Sequence, residues 1–353
     1  MTNILITGIT GFIGSHLAQH LSDNKDNVIY GLHRSIKHES VFSALKLNEK
    51  ENINLIYGDV NNFNTVNEAI VQYEIDNIYH LAAKVIVQDA AKFPVTTINT
   101  NMLGTLNILE SIRLIKELRN KEIPTFVMST DKTYGISNKL PYTEDLPLNG
   151  LDIYSASKAC EDILARSYAY NYDLPIVVGR PANAYGLDFN WTRLIPSLAK
   201  SCLSFNETNK SLILNEGSYN YIREYNYVED TVNALEFLLK NIDKTKGQAY
   251  NISSGYKYTT KEVVHVFLSL IDQYSKRIEF RKKDVIFKEI PEQYLNSSKI
   301  IKDTGWKPKY NLNKGLKETI EKYKEWFELS THHADIELST HHADIGLCNQ
   351  KFC

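Results

Sequence analysis

The first 21 residues constrain the fold more strongly than any other part of the chain. Residues 3–7 form a short apolar run typical of a buried strand, and residues 15–21 are helix-like. Between them lie three glycines at intervals of three residues, Gly8, Gly11 and Gly14. Glycines permit a tight turn and a close approach to a diphosphate, whose charge is stabilised at a helix N-terminus. This segment therefore predicts a dinucleotide-binding unit.

Strand-like and helix-like segments alternate from this unit to about residue 180. Further strand patterns occupy residues 28–32, 54–60, 76–84, 126–128 and 174–180, and residues 101–118 carry a helical apolar stripe. This alternation predicts an α/β fold, a doubly wound parallel Rossmann sheet formed by residues 1–180. Polar and aromatic segments follow, and they predict a smaller C-terminal substrate-binding lobe at residues 181–327. Late elements of the sheet are expected to return around residues 225–252.

Composition excludes several classes of function. Among 353 residues, 40 basic and 42 acidic side chains are well mixed and give a net charge of −2, so no global field would recruit nucleic acid or an anionic membrane. The four cysteines are too scattered for a disulfide framework or a thiolate zinc site, and no metal is predicted. No apolar run reaches the roughly 18 residues of a membrane span. A cytoplasmic protein is expected.

The end of the second strand bears on cofactor choice. Enzymes that bind NAD usually place a carboxylate near this point for the ribose hydroxyls, whereas an arginine suits a 2′-phosphate. Here no acid is present, and Arg34 and Ser35 follow the strand. We therefore predict NADP, with NAD as the alternative. Leu81, Ala82 and Ala83 form a small-residue loop after the fourth strand, which would let the backbone pass close to the cofactor.

Reactive side chains concentrate between residues 126 and 158. A strand pattern ends at Thr130, Asp131 and Lys132, and Tyr154 precedes Lys158 by four residues. On a helix this spacing puts the phenol and the ammonium on the same face. A neighbouring cation favours the phenolate, so Tyr154 is a candidate base near neutral pH.

The order of the glycine loop, Thr130, Tyr154 and Lys158 resembles extended short-chain dehydrogenases/reductases that modify nucleotide sugars. The resemblance covers residues 1 to about 327. It implies that Tyr154 and Lys158 also contact the cofactor, and that a homodimer forms through helices. Further cofactor contacts implied by the resemblance are Phe12 and Ile13 in the glycine loop and Asp59 and Val60 at the adenine. It also places Lys84, Asn183, Arg193 and Arg223 at the nucleotide-sugar substrate, the last three on its diphosphate.

Asp131 and Lys132 narrow the resemblance to nucleotide-sugar 4,6-dehydratases. Sugar epimerases generally carry small or amide residues here, while 4,6-dehydratases carry an acid. The Asp-Lys pair is similar to that of CDP-glucose 4,6-dehydratases and of inverting UDP-N-acetylglucosamine dehydratases, and the flanking residues favour the first. Residues 147–160 and 180–186 also resemble those enzymes. Residues 187–191 and 223–228 depart from their pattern, which leaves the nucleotide base and the sugar substituent at C2 open. Asp131 is then the acid for the leaving hydroxyl, and Lys132 the candidate for proton transfer at C5.

Two alternative functions remain open. A nucleotide-sugar 4-epimerase would need the same cofactor and tyrosine but would not use Asp131 and Lys132. A non-catalytic NADP-binding protein would need the fold alone.

The end of the chain contains a repeat, because residues 328–336 recur unchanged as residues 337–345. Two copies are too few for a repeat fold, so residues 328–353 are expected to be a disordered or non-native tail after a helix at residues 316–327.

Overall fold

The computed structural model describes residues 1–204, 212–271, 278–282 and 290–347, with side chains as far as Leu329. The strands are β1 (Thr2–Thr7), β2 (Asn27–His33), β3 (Ile53–Tyr57), β4 (Asn77–His80), β5 (Thr125–Met128), β6 (Ile176–Pro181), β7 (Asn183–Tyr185), β8 (Leu212–Asn215), β9 (Ile222–Tyr227), β10 (Ala249–Ile252), β11 (Lys257–Thr259), β12 (Ile278–Arg281) and β13 (Glu292–Gln293). The helices are α1 (Phe12–Ser22), α2 (Val41–Ala44), α3 (Phe63–Gln72), α4 (Val87–Lys92), α5 (Pro94–Ile98), α6 (Gly104–Arg119), α7 (Ile153–Tyr172), α8 (Leu194–Leu203), α9 (Val228–Lys240), α10 (Ile242–Thr245), α11 (Thr260–Ser269), α12 (Ser298–Thr304) and α13 (Leu312–Leu347).

Seven strands form one parallel sheet in the order β10-β6-β5-β4-β1-β2-β3. The chain winds outward in one direction from β1 to β3 and then in the other from β4 to β10. In open α/β sheets, ligands bind outside the carboxyl ends of the strands at this point of reversal. The doubly wound parallel sheet predicted from the sequence is confirmed, and β10 is the late strand that returns to it.

Helices cover both faces of this sheet, because side chains alternate along each strand. Ile4 and Ile6 pack on one side with the core that includes α1 and α9, whereas Leu5 packs on the other side with α3, α6 and α7. Strands β5, β6 and β10 are buried along their whole length, as expected for parallel strands that helices cover on both faces.

A smaller group of strands lies beyond the large sheet. β9 pairs with β7, β11 and β13, and β8 pairs with β12. The carboxylate of Asp230 accepts N–H bonds of 2.9–3.0 Å from Lys309 and Tyr310 and thereby fixes the segment before α13. The domain boundary near residue 180 stays a prediction.

The last helix differs from the sequence expectation. It begins at Leu312 and continues through both copies of the repeat to Leu347, whereas the sequence predicts an end at Phe327 followed by a disordered tail. The repeat contains no glycine or proline that would interrupt a helix. Residues 348–353, with Cys348 and Cys353, lie outside the described residues, and whether the repeat is native stays a prediction. Within the described ranges, no helix is long and apolar enough to cross a membrane.

Candidate active site

A cavity of about 760 Å³ opens at the carboxyl ends of the parallel strands. Its lining includes every residue that the sequence assigns to catalysis or to the cofactor, together with three of the four assigned to the substrate. These are Gly8, Gly11, Phe12, Ile13, Gly14, Arg34, Ser35, Asp59, Val60, Leu81, Ala82, Ala83, Thr130, Asp131, Lys132, Tyr154, Lys158, Asn183, Arg193 and Arg223. The exception is Lys84, which does not line the cavity. Its backbone N–H and C=O bond instead to the side chain of Asn101, at 2.8 and 3.2 Å.

The glycine loop has the shape that close approach to a ligand requires. Gly8 has a φ of +72°, and a Cβ placed there would lie 2.8 Å from the backbone nitrogen of Ala82. A Cβ on Gly14 would lie 2.2 Å from the carbonyl oxygen of Gly8. Helix α1 begins at Phe12, within the glycine motif, with no acidic residue in its first turn and no side-chain cap at Gly11. Its N–H groups thus form a fitting site for the pyrophosphate of a dinucleotide.

The outer end of the cavity carries Arg34 and Asp59. The guanidinium of Arg34 lies 3.4 Å from the Asp59 carboxylate, and the two side chains are 53% and 37% exposed. Asp59 also accepts the N–H of Asn61 at 2.9 Å, so it caps a turn as well as facing the cavity. An exposed arginine here remains available to a phosphate group.

Asp131 lies at the first turn after β5. Thr130 caps this turn, and its hydroxyl donates to the Asp131 carboxylate at 3.1 Å. The Asp131 side chain is buried, and burial raises the pKa of its carboxyl, while Lys132, Thr130 and Arg223 act in the opposite direction. A carboxyl of this kind retains its proton to higher pH than an exposed one, which suits a proton donor.

Tyr154 stands in the first turn of α7, where it is 8% exposed. Burial raises the pKa of its phenol. The Thr130 hydroxyl and Arg193 lower it, whereas Asp131 and Glu161 raise it further. The sequence predicts that Lys158 favours the phenolate, but the Lys158 ammonium donates to the Met128 carbonyl and to the Glu161 carboxylate. Because burial has the largest effect, the net shift of the Tyr154 pKa is upward, opposite to the direction that the sequence predicts.

Two arginines line the cavity from the C-terminal half of the chain, Arg193 directly before α8 and Arg223 on β9. Arg193 lies 3.3 Å from the Asp188 carboxylate and over the ring of Phe12. Arg223 donates to the carbonyls of Ile222 and Pro291 at 2.9 and 3.3 Å, and also to that of Ile290. These bonds fix the direction of both guanidinium groups.

The comparisons with known proteins agree with this arrangement. The model of the family described as GDP-mannose 4,6 dehydratase matches residues 5–319. The chain belongs to this family. The dTDP-glucose 4,6-dehydratase of Salmonella typhimurium is 29% identical over 339 residues, which cover 91% of this chain and 92% of that protein.

Solved structures show the same relationship. The dTDP-glucose 4,6-dehydratase of Bacillus anthracis in complex with NAD superposes with a TM-score of 0.79 and 27% identity, and the match covers 92% of this chain and 97% of that one. The UDP-glucuronic acid 4-epimerase of Bacillus cereus, in complex with UDP-glucuronic acid and NAD, shares the fold, with a TM-score of 0.81, 23% identity and coverage of 92% and 100%. The resemblance to nucleotide-sugar 4,6-dehydratases of the extended short-chain dehydrogenase group is thus confirmed. The narrower likeness to CDP-glucose enzymes stays a prediction.

This member of the GDP-mannose 4,6-dehydratase family also has site residues that the sequence did not single out. Glu224 is buried beside the catalytic region, and burial raises the pKa of its carboxyl to about 7, with Asp131 adding to the increase. Tyr221 and Tyr225 line the cavity from the polar, aromatic segment of residues 215–227. That composition was the only sequence signal for them. Glu161 follows Lys158 by three residues, a helical spacing that allows an ion pair, but the sequence does not show that the pair is buried.

His80, at the end of β4, is a structural histidine. Both ring nitrogens are hydrogen-bonded, to Thr7 at 2.8 Å and to Thr105 at 2.9 Å. Burial, assisted by the charge of Lys158, lowers its pKa to about 3. The imidazole is therefore neutral and holds the end of β4 against α6.

Proposed function

We propose that this chain is a nucleotide-sugar 4,6-dehydratase, which converts a nucleoside diphosphate hexose into its 4-keto-6-deoxy derivative. The observation that carries the proposal is the presence of the buried Asp131, and of Lys132 next to it, in the same cavity as Tyr154. Oxidation of an alcohol, without loss of water, would need Tyr154 but neither Asp131 nor Lys132. Loss of water also needs a proton donor at the leaving hydroxyl, and Asp131 supplies that group.

The cofactor that we propose is NADP, with NAD as the alternative. When bound, the nicotinamide accepts hydride from C4 of the sugar and returns it to C6. The glycine loop and the N-terminus of α1 would hold its pyrophosphate, and Arg34 with Ser35 would contact a 2′-phosphate at the end of β2. Titrating the protein with NADP and with NAD tests this choice. Equal or tighter binding of NAD would show that Arg34 does not determine the choice between the two cofactors.

Tyr154 begins the reaction as the base for the 4-hydroxyl. It must first lose its own proton, which burial opposes, while the Thr130 hydroxyl and the nearby charge of Arg193 favour the anion. The hydroxyl of Thr130 also orients the phenol. Oxidation at C4 then gives a ketone, which acidifies the hydrogen at C5.

Asp131 and Lys132 carry the elimination. A proton leaves C5 while the C6 hydroxyl takes the Asp131 proton and departs as water, which leaves a double bond between C5 and C6. Lys132 is the candidate to accept the C5 proton or to stabilise the enolate. Hydride return to C6 and a proton at C5 complete the product, so the net change is loss of one water.

The diphosphate of the substrate would lie on Arg193, Arg223 and Asn183. Asn183 begins β7 opposite Tyr225 of β9, and all four side chains line the cavity. Arginine suits this position because its planar fork donates two parallel bonds to phosphate oxygens. The sequence likeness to CDP-glucose enzymes and the dTDP-glucose relatives both favour a pyrimidine base. Lys84, outside the cavity, has no part in this proposal.

We also propose a homodimer. Val95 and Ile98 on α5 and Ile163 on the neighbouring α7 expose 70%, 39% and 50% of their surfaces, which is unfavourable for apolar side chains unless they are covered. Light scattering should give a mass of about twice 40.5 kDa. A mass of one chain at micromolar concentration would refute the dimer.

A panel of nucleotide sugars tests the activity. CDP-, dTDP-, UDP- and GDP-hexoses are incubated with the purified protein, and the products are weighed by mass spectrometry. A dehydratase subtracts one water from one member of the panel. An unchanged mass with altered sugar configuration would indicate the 4-epimerase, and no turnover with intact cofactor binding would indicate the non-catalytic alternative.

A further inference from the structure

Lys158, the cation expected to act beside Tyr154, forms a buried ion pair with a carboxylate on its own helix, α7. Its ammonium donates to the Glu161 carboxylate at 2.6 Å and to the backbone carbonyl of Met128. The side chains of Lys158 and Glu161 are 3% and 1% exposed, and only Lys158 is among the residues that line the cavity. An ammonium has three N–H donors, so this arrangement leaves one for a ligand.

We propose that Glu161 is a positioning residue for Lys158, one that fixes the ammonium at the back of the cavity and offsets its charge at Tyr154. The inference rests on the proposed function, since it concerns the acid–base pair of that reaction. Tyr154, Lys158 and Glu161 follow one another at intervals of four and three residues on α7. That spacing keeps all three on one face of the helix.

Glu161 is distinct from the structural carboxylate beside it. Asp162 is also buried, but it binds Arg180 at 2.7 Å and Arg166 at 2.9 Å, and so ties α7 to β6. The connection between helix and sheet is thus already made by Asp162. Glu161 instead pairs with Lys158, the one cation of α7 that lines the cavity.

The surroundings of Glu161 allow its charge to change near neutral pH. Burial raises the pKa of its carboxyl to about 7, although the attraction and hydrogen bond of Lys158 oppose the increase. Asp162 raises it as well, and the Thr105 hydroxyl on α6 is close enough to lower it. His80, which bonds to Thr105 from β4, is neutral in this range.

The charge of Glu161 reaches Tyr154, where it raises the pKa of the phenol. The two residues are seven positions apart, which corresponds to about 10 Å along a helix. With an effective dielectric constant of about 20, a unit charge at that distance shifts a pKa by about one unit. Removing the charge while keeping Lys158 in place should therefore make Tyr154 a base at lower pH.

The first experiment compares pH profiles of kcat/KM for dehydration. Glu161→Gln keeps the length of the side chain and an oxygen acceptor for Lys158 but removes the charge. In the pH profile of this variant, the rising limb of kcat/KM, which reports deprotonation of Tyr154, should move to lower pH by about one pH unit. Glu161→Asp keeps the charge but is shorter, so it should leave the limb in place and lower kcat.

Glu110→Gln is the matched control, because it removes a carboxylate that pairs with Arg113 on the neighbouring helix α6, outside the cavity. Its pH profile should coincide with that of the wild type. A limb that moves equally in both variants would show a general charge effect and overturn the proposal.

A second readout needs no turnover. Because the folded pKa of Glu161 is raised above its ordinary 4.5, its contribution to stability is full below about pH 4.5 and is lost as pH rises through about 7. The Tm of Glu161→Gln minus that of the wild type should therefore increase over this interval. For Glu110, the Arg113 hydrogen bond lowers the pKa, so the Tm difference of Glu110→Gln should be flat there.

The outcomes separate the inference from the proposed function. If no nucleotide sugar is dehydrated by the wild type, the proposed function fails, and the Tm comparison alone decides the role of Glu161. A Glu161→Gln profile that coincides with the wild type, together with a flat Tm difference, would overturn the inference. If Glu161→Gln does not fold, Glu161→Asp decides: lowered kcat with an unmoved limb supports positioning, and wild-type kcat contradicts it.

Discussion

Among single residues, Asp131 is the one that the proposed mechanism needs for loss of water but not for simple oxidation. Its carboxyl is buried, and that burial is the main reason for its raised pKa. The adjacent Lys132 and the more distant Arg223 partly oppose the shift, so the proton is held but can be given up. A general acid must both keep its proton at the working pH and release it in the transition state.

Asp131→Asn should abolish dehydration while leaving the first oxidation in place. The amide cannot protonate a leaving hydroxyl, so we expect kcat for water loss to fall by about 10²–10⁴-fold. The substrate KM should change little, because Asn has the same size. Reduced cofactor formed in a single turnover, measured by its absorbance, reports the oxidation separately from the product.

The control for this variant is Asp145→Asn, on the exposed loop between Asp131 and Tyr154. It makes the same chemical change outside the cavity and should retain wild-type turnover. Full dehydration by Asp131→Asn would refute the acid role of that carboxyl.

At the scale of elements, the strand, glycine loop and helix at the N-terminus form the most predictable part of the site. Their signals are local: an apolar run, glycines at fixed spacing and a helix start lie within 21 residues. The contact between Gly8 and the backbone of Ala82 joins two parallel strands that are distant in sequence. Only the folded sheet shows why position 8 excludes a side chain.

Gly8→Ala should destabilise the protein and prevent cofactor binding. A residue with a side chain at φ of +72° is strained, and its Cβ would collide with the Ala82 nitrogen at 2.8 Å. Strain of this kind amounts to about 1–3 kcal/mol, and the collision adds to it. Thermal unfolding and cofactor titration measure the two effects.

Gly255→Ala provides the matched comparison. Gly255 has a φ of +76°, but a Cβ there meets nothing within 4 Å. The variant should lose stability through backbone strain alone and should still bind cofactor. If Gly8→Ala bound cofactor as well as Gly255→Ala, the close approach of the loop to a ligand would be wrong.

The sequence was less informative wherever function depends on contacts across the fold. The order of motifs predicted the sheet, and 20 of the 21 candidate site residues line the cavity, because most of the motifs follow parallel strands whose carboxyl ends meet at one edge. Lys84 does not line the cavity, and its assignment to the substrate, which came from the family resemblance, stays a prediction. The sequence also did not identify the pairing of Lys158 with Glu161: a spacing of three residues on a helix allows this ion pair, but the burial of both groups is evident only in the folded structure.

Across the whole molecule, the last helix, α13, is connected to the cavity through Asp188, which lines it. The Tyr323 hydroxyl donates to the Asp188 carbonyl at 2.5 Å and accepts the Asp188 N–H at 3.0 Å. Asp188 in turn holds Arg193 at 3.3 Å. A helix more than 100 residues away in sequence thus helps to orient Arg193, the arginine that we propose binds the substrate diphosphate.

Removal of residues 328–353 should leave Tm and activity unchanged. The truncation keeps Tyr323 and Phe327, which are both buried in the main core. By contrast, Tyr323→Phe keeps the packing but removes both hydrogen bonds to Asp188, so it should raise KM for the nucleotide sugar with a smaller effect on kcat. Loss of activity in the truncated protein, with Tyr323→Phe unaffected, would reverse these assignments.

In the proposed reaction, hydride leaves C4 and returns to C6, and a water is lost between these two steps. The decisive experiment uses the nucleotide sugar identified in the panel, carrying deuterium at C4. We expect a product that is lighter by one water and carries the deuterium at C6. A product of unchanged elemental composition with the deuterium still at C4 would contradict it and would establish an epimerase.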